Sequence, residues 1–177
     1  MLTYDIFEKV NNLCRSLELP LPNCILHVLI DTQQMVLNCT AAEPKIFMIS
    51  TSRFGVGNRE GSNMTPTGLH RITEKIGAGA PSGRIFKERI DTGIDWNNSM
   101  SGENCILTRI LRLDGLETGV NKGPGIDSFE RYIYIHGTNR EEEIGTPLSH
   151  GCICMKNNDI IKLFDLVEEG TLVFIDQ

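Results

Sequence analysis

From Asn23 onward the chain is built of short β-rich runs cut apart by turn residues, and helical periodicity survives only near its two ends. CILHVLID (Cys24 to Asp31), QMVLNCTA (Gln34 to Ala42) and KIFMIST (Lys45 to Thr51) are separated by polar or proline breaks and read as a hairpin series. LHRITEKI (Leu69 to Ile76) follows the turn Thr65-Pro66-Thr67-Gly68, with further strands expected over Phe86 to Asp91, Cys105 to Leu113 and Thr171 to Asp176. In RYIYIH (Arg131 to His136) strict alternation puts Tyr132, Tyr134 and His136 on one face, and Ile133 and Ile135 on the other. A chain so patterned buries its apolar residues in sheets, so the expected fold class is mainly β.

Two helices complete the outline. Ile6, Phe7, Val10, Leu13, Cys14 and Leu17 recur at helical spacing behind Thr3 as N-cap, and Pro20 and Pro22 end the run. The expected division is therefore an amphipathic helix over residues 1–22 packed on a domain over 23–177. Near the end, Asn158 is expected to cap a helix with Ile160, Leu163, Phe164 and Val167 on its apolar face, closing near Gly170. At 177 residues the chain is sized for one core.

Composition excludes some functions. With 17 Lys+Arg against 23 Asp+Glu, the net charge of −6 offers no cationic stripe for nucleic acid. No window reaches the ~18 apolar residues of a membrane span. Asp5, Glu8, Lys9 and Arg15 interrupt any secretory apolar stretch at the start, an expectation that points to the cytoplasm. The glycines of Gly77 to Gly83 lack the Lys-Ser/Thr of a phosphate-binding loop. Of the six cysteines, Cys14, Cys24, Cys39 and Cys105 lie in apolar runs and are expected to be passive core thiols.

Chemistry concentrates in HGTNREEEIGTPLSHGCICM, His136 to Met155. A thiol that attacks a carbonyl needs a base and backbone donors aimed at the developing oxyanion. His136 is such a base, Cys152 such a thiol, and Gly151 permits the tight backbone approach that frees amide N–H groups. Zinc is the competing reading, with His136, His150, Cys152 and Cys154 as ligands. Cys-x-Cys is an uncommon zinc spacing, so no metal is expected.

Ile133-Tyr134-Ile135-His136-Gly137-Thr138-Asn139, Ile144-Gly145 and Ser149-His150-Gly151-Cys152-Ile153 closely resemble the signature of the L,D-transpeptidase catalytic domain (YkuD-like, ErfK-type). Thr65-Pro66-Thr67-Gly68 and Gly170-Thr171-Leu172-Val173 extend the likeness, which covers about Cys24 to Asp176. The resemblance implies a curved β-sandwich and a cysteine enzyme acting on peptidoglycan stem peptides or muropeptides, without a cofactor, and open to acylation by carbapenems. It assigns Cys152 as nucleophile, His136 as its activator and the Gly137 carbonyl as the group orienting the imidazole. Gly151 and Cys152 amides would form the oxyanion hole, lined by Ser149 and His150. By position alone, Arg140 just after the His136 motif is a candidate to meet a stem-peptide carboxylate, and Tyr134 a candidate to line a substrate groove. An amine acceptor makes the enzyme a transpeptidase; water makes it a carboxypeptidase.

Two features depart from the family. Cys154 stands where the family generally carries Arg, which also suits a weakened peptidoglycan-binding module or one that responds to oxidation through a Cys152–Cys154 bond. The family works on cell wall outside the cytoplasmic membrane, opposite to the compartment suggested by the chain's start.

Overall fold

The computed structural model describes residues 2–100, 102 and 104–177, with side chains from Ile6 onward. Helix α1 (Leu2–Ser16) is followed by strands β1 (Cys24–Leu29), β2 (Gln34–Cys39), β3 (Ala42–Ser50), β4 (Gly68–Ile76), β5 (Arg84–Lys87), β6 (Ile90–Asp95), β7 (Ile106–Gly115), β8 (Tyr134–Gly137) and β9 (Ile153–Met155). Helix α2 (Asn157–Leu166) and β10 (Leu172–Asp176) complete the chain. The strands run in the order β4-β10-β1-β2-β3-β9-β8-β7-β5-β6, and β4 also pairs with β7. That extra pairing closes eight strands into a ring, so the curved sandwich expected from the sequence has no free edge there. The β5–β6 hairpin hangs from β7 outside the ring.

Burial on both faces explains the continuous apolar runs. On β1, Leu26 and Val28 enter the ring's interior with Val173, Ile175, Leu111, Ile135 and Ile153, and α2 adds Ile160 and Leu163. Ile25 faces outward beneath α1, packed with Ile6, Val10, Cys14, Leu69 and Phe174. Fully burying one such aliphatic side chain contributes about 1.5–3 kcal/mol, so α1 is held by its apolar stripe rather than by helix propensity. Residues whose neighbours in sequence line the core present the opposite wall of β7, β8 and β9, where Ile110, Tyr134 and Cys152 meet Phe86 of the hairpin.

The expected boundaries need several corrections. Thr3 already lies within α1, and its side chain is outside the described residues. The helix ends before either proline, through Leu19 N–H donating to Cys14 O, with Glu18 in the left-handed region at φ 54°. The single strand expected at Phe86 to Asp91 is a hairpin turning at Glu88-Arg89, whose second strand, β6, runs on to Asp95; positions 101 and 103 are outside the described residues. Tyr132 has φ 56° and stands outside β8, since the chain leaves extended geometry there. Lys156, not Asn158, occupies the N-cap of α2 without a side-chain bond. Asn157 instead uses its amide on Thr138 O and the Glu141 carboxylate.

Cys24 and Cys39 form a disulfide, correcting their assignment as passive thiols. The antiparallel β1–β2 register sets them directly opposite, with 4.1 Å between Cα atoms, a proximity that needs the strand pairing to become visible. Cys14, Cys152 and Cys154 are free thiols.

Candidate active site

β8 and β9 run parallel with Ile135 opposite Ile153 and His136 opposite Cys154. By the same register Cys152, just before β9, lies beside Tyr134. The two-residue period then sends Tyr134, His136, Cys152 and Cys154 to one face, away from the ring's core. Sequence alternation alone supplies that arrangement once the two strands are neighbours.

His136 is 2 % exposed, and its Nδ1 lies 2.8 Å from the Gly137 carbonyl. A carbonyl only accepts, so Nδ1 carries the proton and Nε2 presents a lone pair. Burial pushes its pKa down to about 4, leaving a neutral base at pH 7. Nε2 faces Cys154 Sγ at 3.8 Å, not Cys152. Cys154 is fully buried, and Asn104 donates to its sulfur at 3.2 Å. Asn104 in turn accepts from Thr138 Oγ1, so the loop before β7 is tied to the strand after His136.

Cys152 is partly exposed, with Sγ 3.5 Å from the Tyr132 carbonyl. Burial raises its pKa to about 11, opposed by the Tyr134 backbone N–H and the Arg131 charge. Burial raises Cys154 to about 12. Both thiols are therefore protonated beside a neutral imidazole, and no thiolate–imidazolium pair exists at rest. Attack by either sulfur would then require its proton to move as the new bond forms.

The turn before Cys152 is clamped on both sides. Gly151 has φ 126°, which suits glycine alone, and its N–H donates to Ser149 Oγ at 3.2 Å. Thr65 Oγ1 donates to Gly151 O at 3.1 Å and accepts from Ser52 N–H at 2.9 Å. Ser149 is buried and donates to Cys152 O. Its hydroxyl therefore holds the loop instead of pointing into open space. His150 is exposed and turned to Arg53, 2.7 Å from Nε2. Arg140 is neutralised by Glu143, at 2.7 and 2.5 Å.

Tyr134 is 3 % exposed, and its hydroxyl accepts from Arg89 at 2.9 Å. Arg89 sits at the tip of the β5–β6 hairpin, 5.1 Å over the exposed Tyr132 ring. Arg131 donates to the carbonyls of Gly57 and Met64. Sequence patterning marks none of Thr65, Asn104, Arg89 and Arg131 as a site residue, although Thr65 opens the Thr65-Pro66-Thr67-Gly68 turn and Arg131 the alternating run to His136. A cavity of about 230 Å³ adjoins the thiol's flank, lined by Asn63, Arg131, Tyr132 and His150 among others. A larger one, about 600 Å³, lies between α1 and the end of β2 and holds none of the reactive groups. Among the described residues no three His, Cys, Asp or Glu side chains converge as a metal site. No described helix is long and apolar enough to cross a membrane.

The fold is similar to L,D-transpeptidase 3 from Mycobacterium tuberculosis, with a TM-score of 0.53, 14% identity, and 88% of this chain and 62% of that one covered. It is likewise similar to the L,D-transpeptidase from Mycobacterium smegmatis, at TM-score 0.52, 13% identity, and 88% and 59% coverage. In sequence, YqjB of Bacillus subtilis (strain 168) is 51% identical over 122 residues, which are 69% of this chain and 57% of that one. YbiS of Escherichia coli (strain K12) is 50% identical over 48 residues, 27% of this chain and 16% of that one. This chain thus matches little more than half the length of YqjB and far less of YbiS. The family description that fits is the L,D-transpeptidase catalytic domain, matched over residues 25–175, and the chain belongs to that family.

Proposed function

We propose that the chain is a cysteine acyltransferase of peptidoglycan stem peptides, with Cys152 as nucleophile and His136 as base. The observation that carries this reading is the neutral His136, fixed by Gly137 O so that its Nε2 lone pair points along the face shared by both thiols. Cys152 is the thiol that substrate can reach, because Cys154 is fully buried. The proposed reaction requires the Cys152 side chain to leave Tyr132 O, which it meets at 3.5 Å, and turn toward Nε2; resting sites commonly hold such pairs loosely until substrate binds.

In the proposed reaction Cys152 Sγ attacks the carbonyl preceding a terminal D-alanine, and its proton passes to His136 Nε2. The oxyanion meets the Cys152 backbone N–H. Collapse forms the thioester and breaks the peptide bond, the leaving amine taking the proton from His136. An amine of a second stem then attacks, gives its proton to Nε2, and the thiol is restored. Water in place of that amine gives the carboxypeptidase reaction.

The contact between Nε2 and Cys154 supports a second reading, in which Cys154 is the reactive thiol. Intact-mass analysis after meropenem treatment separates the two, an assay suggested by the faropenem-derived adduct carried by L,D-transpeptidase 3 from Mycobacterium tuberculosis. One adduct is expected on the unmodified protein and on Cys154→Ala, and none on Cys152→Ala. The reverse pattern assigns Cys154, and no adduct on any form refutes the acyl-transfer reading. Products from a tetrapeptide muropeptide, with and without an amine acceptor, then distinguish cross-linking from trimming.

A further inference from the structure

Glu88 and Arg89 form the two-residue turn between the paired Lys87 and Ile90, and both lie in the left-handed region, at φ 48° and 70°. Such turns ordinarily take Asn-Gly or Gly-Gly, because side chains with a Cβ are strained there. Strain kept at a surface turn points to a side chain that is needed where the turn puts it. Arg89 is that side chain. It reaches back over the Tyr132 ring to the Tyr134 hydroxyl, and Tyr134 lies beside Cys152 in the sheet register.

Its electrostatic situation differs from that of the arginines around it, of which Arg131, also without an ion pair among the described residues, donates to the Gly57 and Met64 carbonyls. Arg112 below it pairs with Glu74, Arg84 pairs with Asp91 and Asp95, and Arg140 pairs with Glu143. Among the described residues Arg89 has no ion pair, only the neutral phenol. A guanidinium retains further N–H donors after one such bond, in the fork geometry that matches a carboxylate. Because the Tyr134 hydroxyl accepts from Arg89, its own hydrogen is free to donate to the same group.

We propose that Arg89, with the Tyr134 hydroxyl, forms the subsite that receives a free carboxylate of the acyl donor while its carbonyl lies at Cys152. The proposal rests on the acyl-transfer reading for the identity of the donor. Arg89 is then a specificity determinant: it selects donors that carry the negative charge over their carboxamide counterparts. A stem tetrapeptide offers that charge on its diamino acid or on its terminal D-alanine.

The test uses the full chain as Cys152→Ala, so that peptides are bound but not consumed. Calorimetry compares three probes: the tetrapeptide with free carboxylates, the same peptide amidated on the diamino acid, and the same peptide amidated on the terminal D-alanine. One amide is expected to bind about 10- to 100-fold more weakly than the acid, and that amide names the carboxylate. Adding Arg89→Gln should erase the difference, and Arg89→Lys should restore part of it. Arg89→Gly should erase it too, yet melt at a higher temperature than Arg89→Gln, because glycine relieves the turn. Equal binding of all three peptides overturns the proposal, as does an equal loss for all three in Arg89→Gln. An Arg89→Gly protein no more stable than Arg89→Gln overturns the strain argument beneath it. Turnover by the unmodified chain is followed in parallel. Discrimination without turnover refutes acyl transfer and leaves the subsite standing, whereas turnover without discrimination does the opposite.

Discussion

Lowering the pH from 7 to 5 should destabilise this protein before any of its carboxylates matters. His70 and His136 are both buried and neutral, each with its pKa pushed down to about 4 from an ordinary 6.5. His70 Nδ1 donates to Gly68 O at 3.0 Å and its Nε2 accepts from Ser128 Oγ at 2.8 Å, so the ring is satisfied as a neutral group, and a second proton would turn that hydroxyl round and place a charge in a fully buried site. Between pH 6.5 and 4 the unfolded chain binds protons at these sites and the folded chain does not. Their stabilising contribution is therefore complete above pH 6.5 and is lost progressively as the pH falls toward 4. Each histidine loses about 2 kcal/mol by pH 5, and the two together about 4 kcal/mol, against the 5–15 kcal/mol that holds a typical domain. Urea unfolding at pH 7, 6 and 5 measures this directly. His70→Gln, which keeps a donor and an acceptor, should remove about half of the pH dependence. A change below about 1 kcal/mol from pH 7 to 5, or an undiminished slope in His70→Gln, refutes the buried-neutral account.

The same ionisation bears on chemistry: acylation of Cys152 should keep its rate down to about pH 5 in protein that is still folded, with an acid limb near pH 4 where His136 takes its proton. A limb near 6.5 in stopped-flow acylation would show the imidazole to be solvated. Replacing Cys24 and Cys39 by serine should cost about 3 kcal/mol in urea unfolding, the loop-closure value for residues 15 apart, with little change in the acylation rate. Arg140→Ala should change stability by less than about 1 kcal/mol, since its partner Glu143 is exposed. Binding of stem peptide by Arg140→Ala should match the unmodified chain in calorimetry.

What was legible in the sequence is what a short window can carry. The alternation in Arg131 to His136 gives the face of Tyr134 and His136, and the Ser149-His150-Gly151-Cys152 run marks the turn that delivers the thiol. The strands and the two helices follow from period and turn residues in the same way. Pairings between distant segments leave no such trace. Cys24 and Cys39 read as two core thiols until β1 and β2 align, and Asn104 reads as loop until it donates to Cys154. The β5–β6 hairpin escaped because its turn residues, Glu88 and Arg89, violate the usual turn chemistry. Local rules fail most at a position held for another reason, which is the argument for looking there.

That position also accounts for the departure at Cys154. The family resemblance calls for arginine two residues after the nucleophile, but this site is fully buried, with Nε2 of His136 and the Asn104 amide on the sulfur. A guanidinium in that space would have no carboxylate to meet, and burying an unpaired charge costs several kcal/mol. It would also lower the basicity of the imidazole it touched. A thiol there leaves His136 neutral and the wall of the sheet closed. On the proposed subsite reading the cation is supplied instead from outside the wall, by Arg89 on a strained turn where the residue is only partly buried. A chain arranged this way keeps its base and its charge on separate elements. Cys154→Arg should therefore destabilise the fold without replacing Arg89, and in the Arg89→Gln background it should fail to restore carboxylate discrimination.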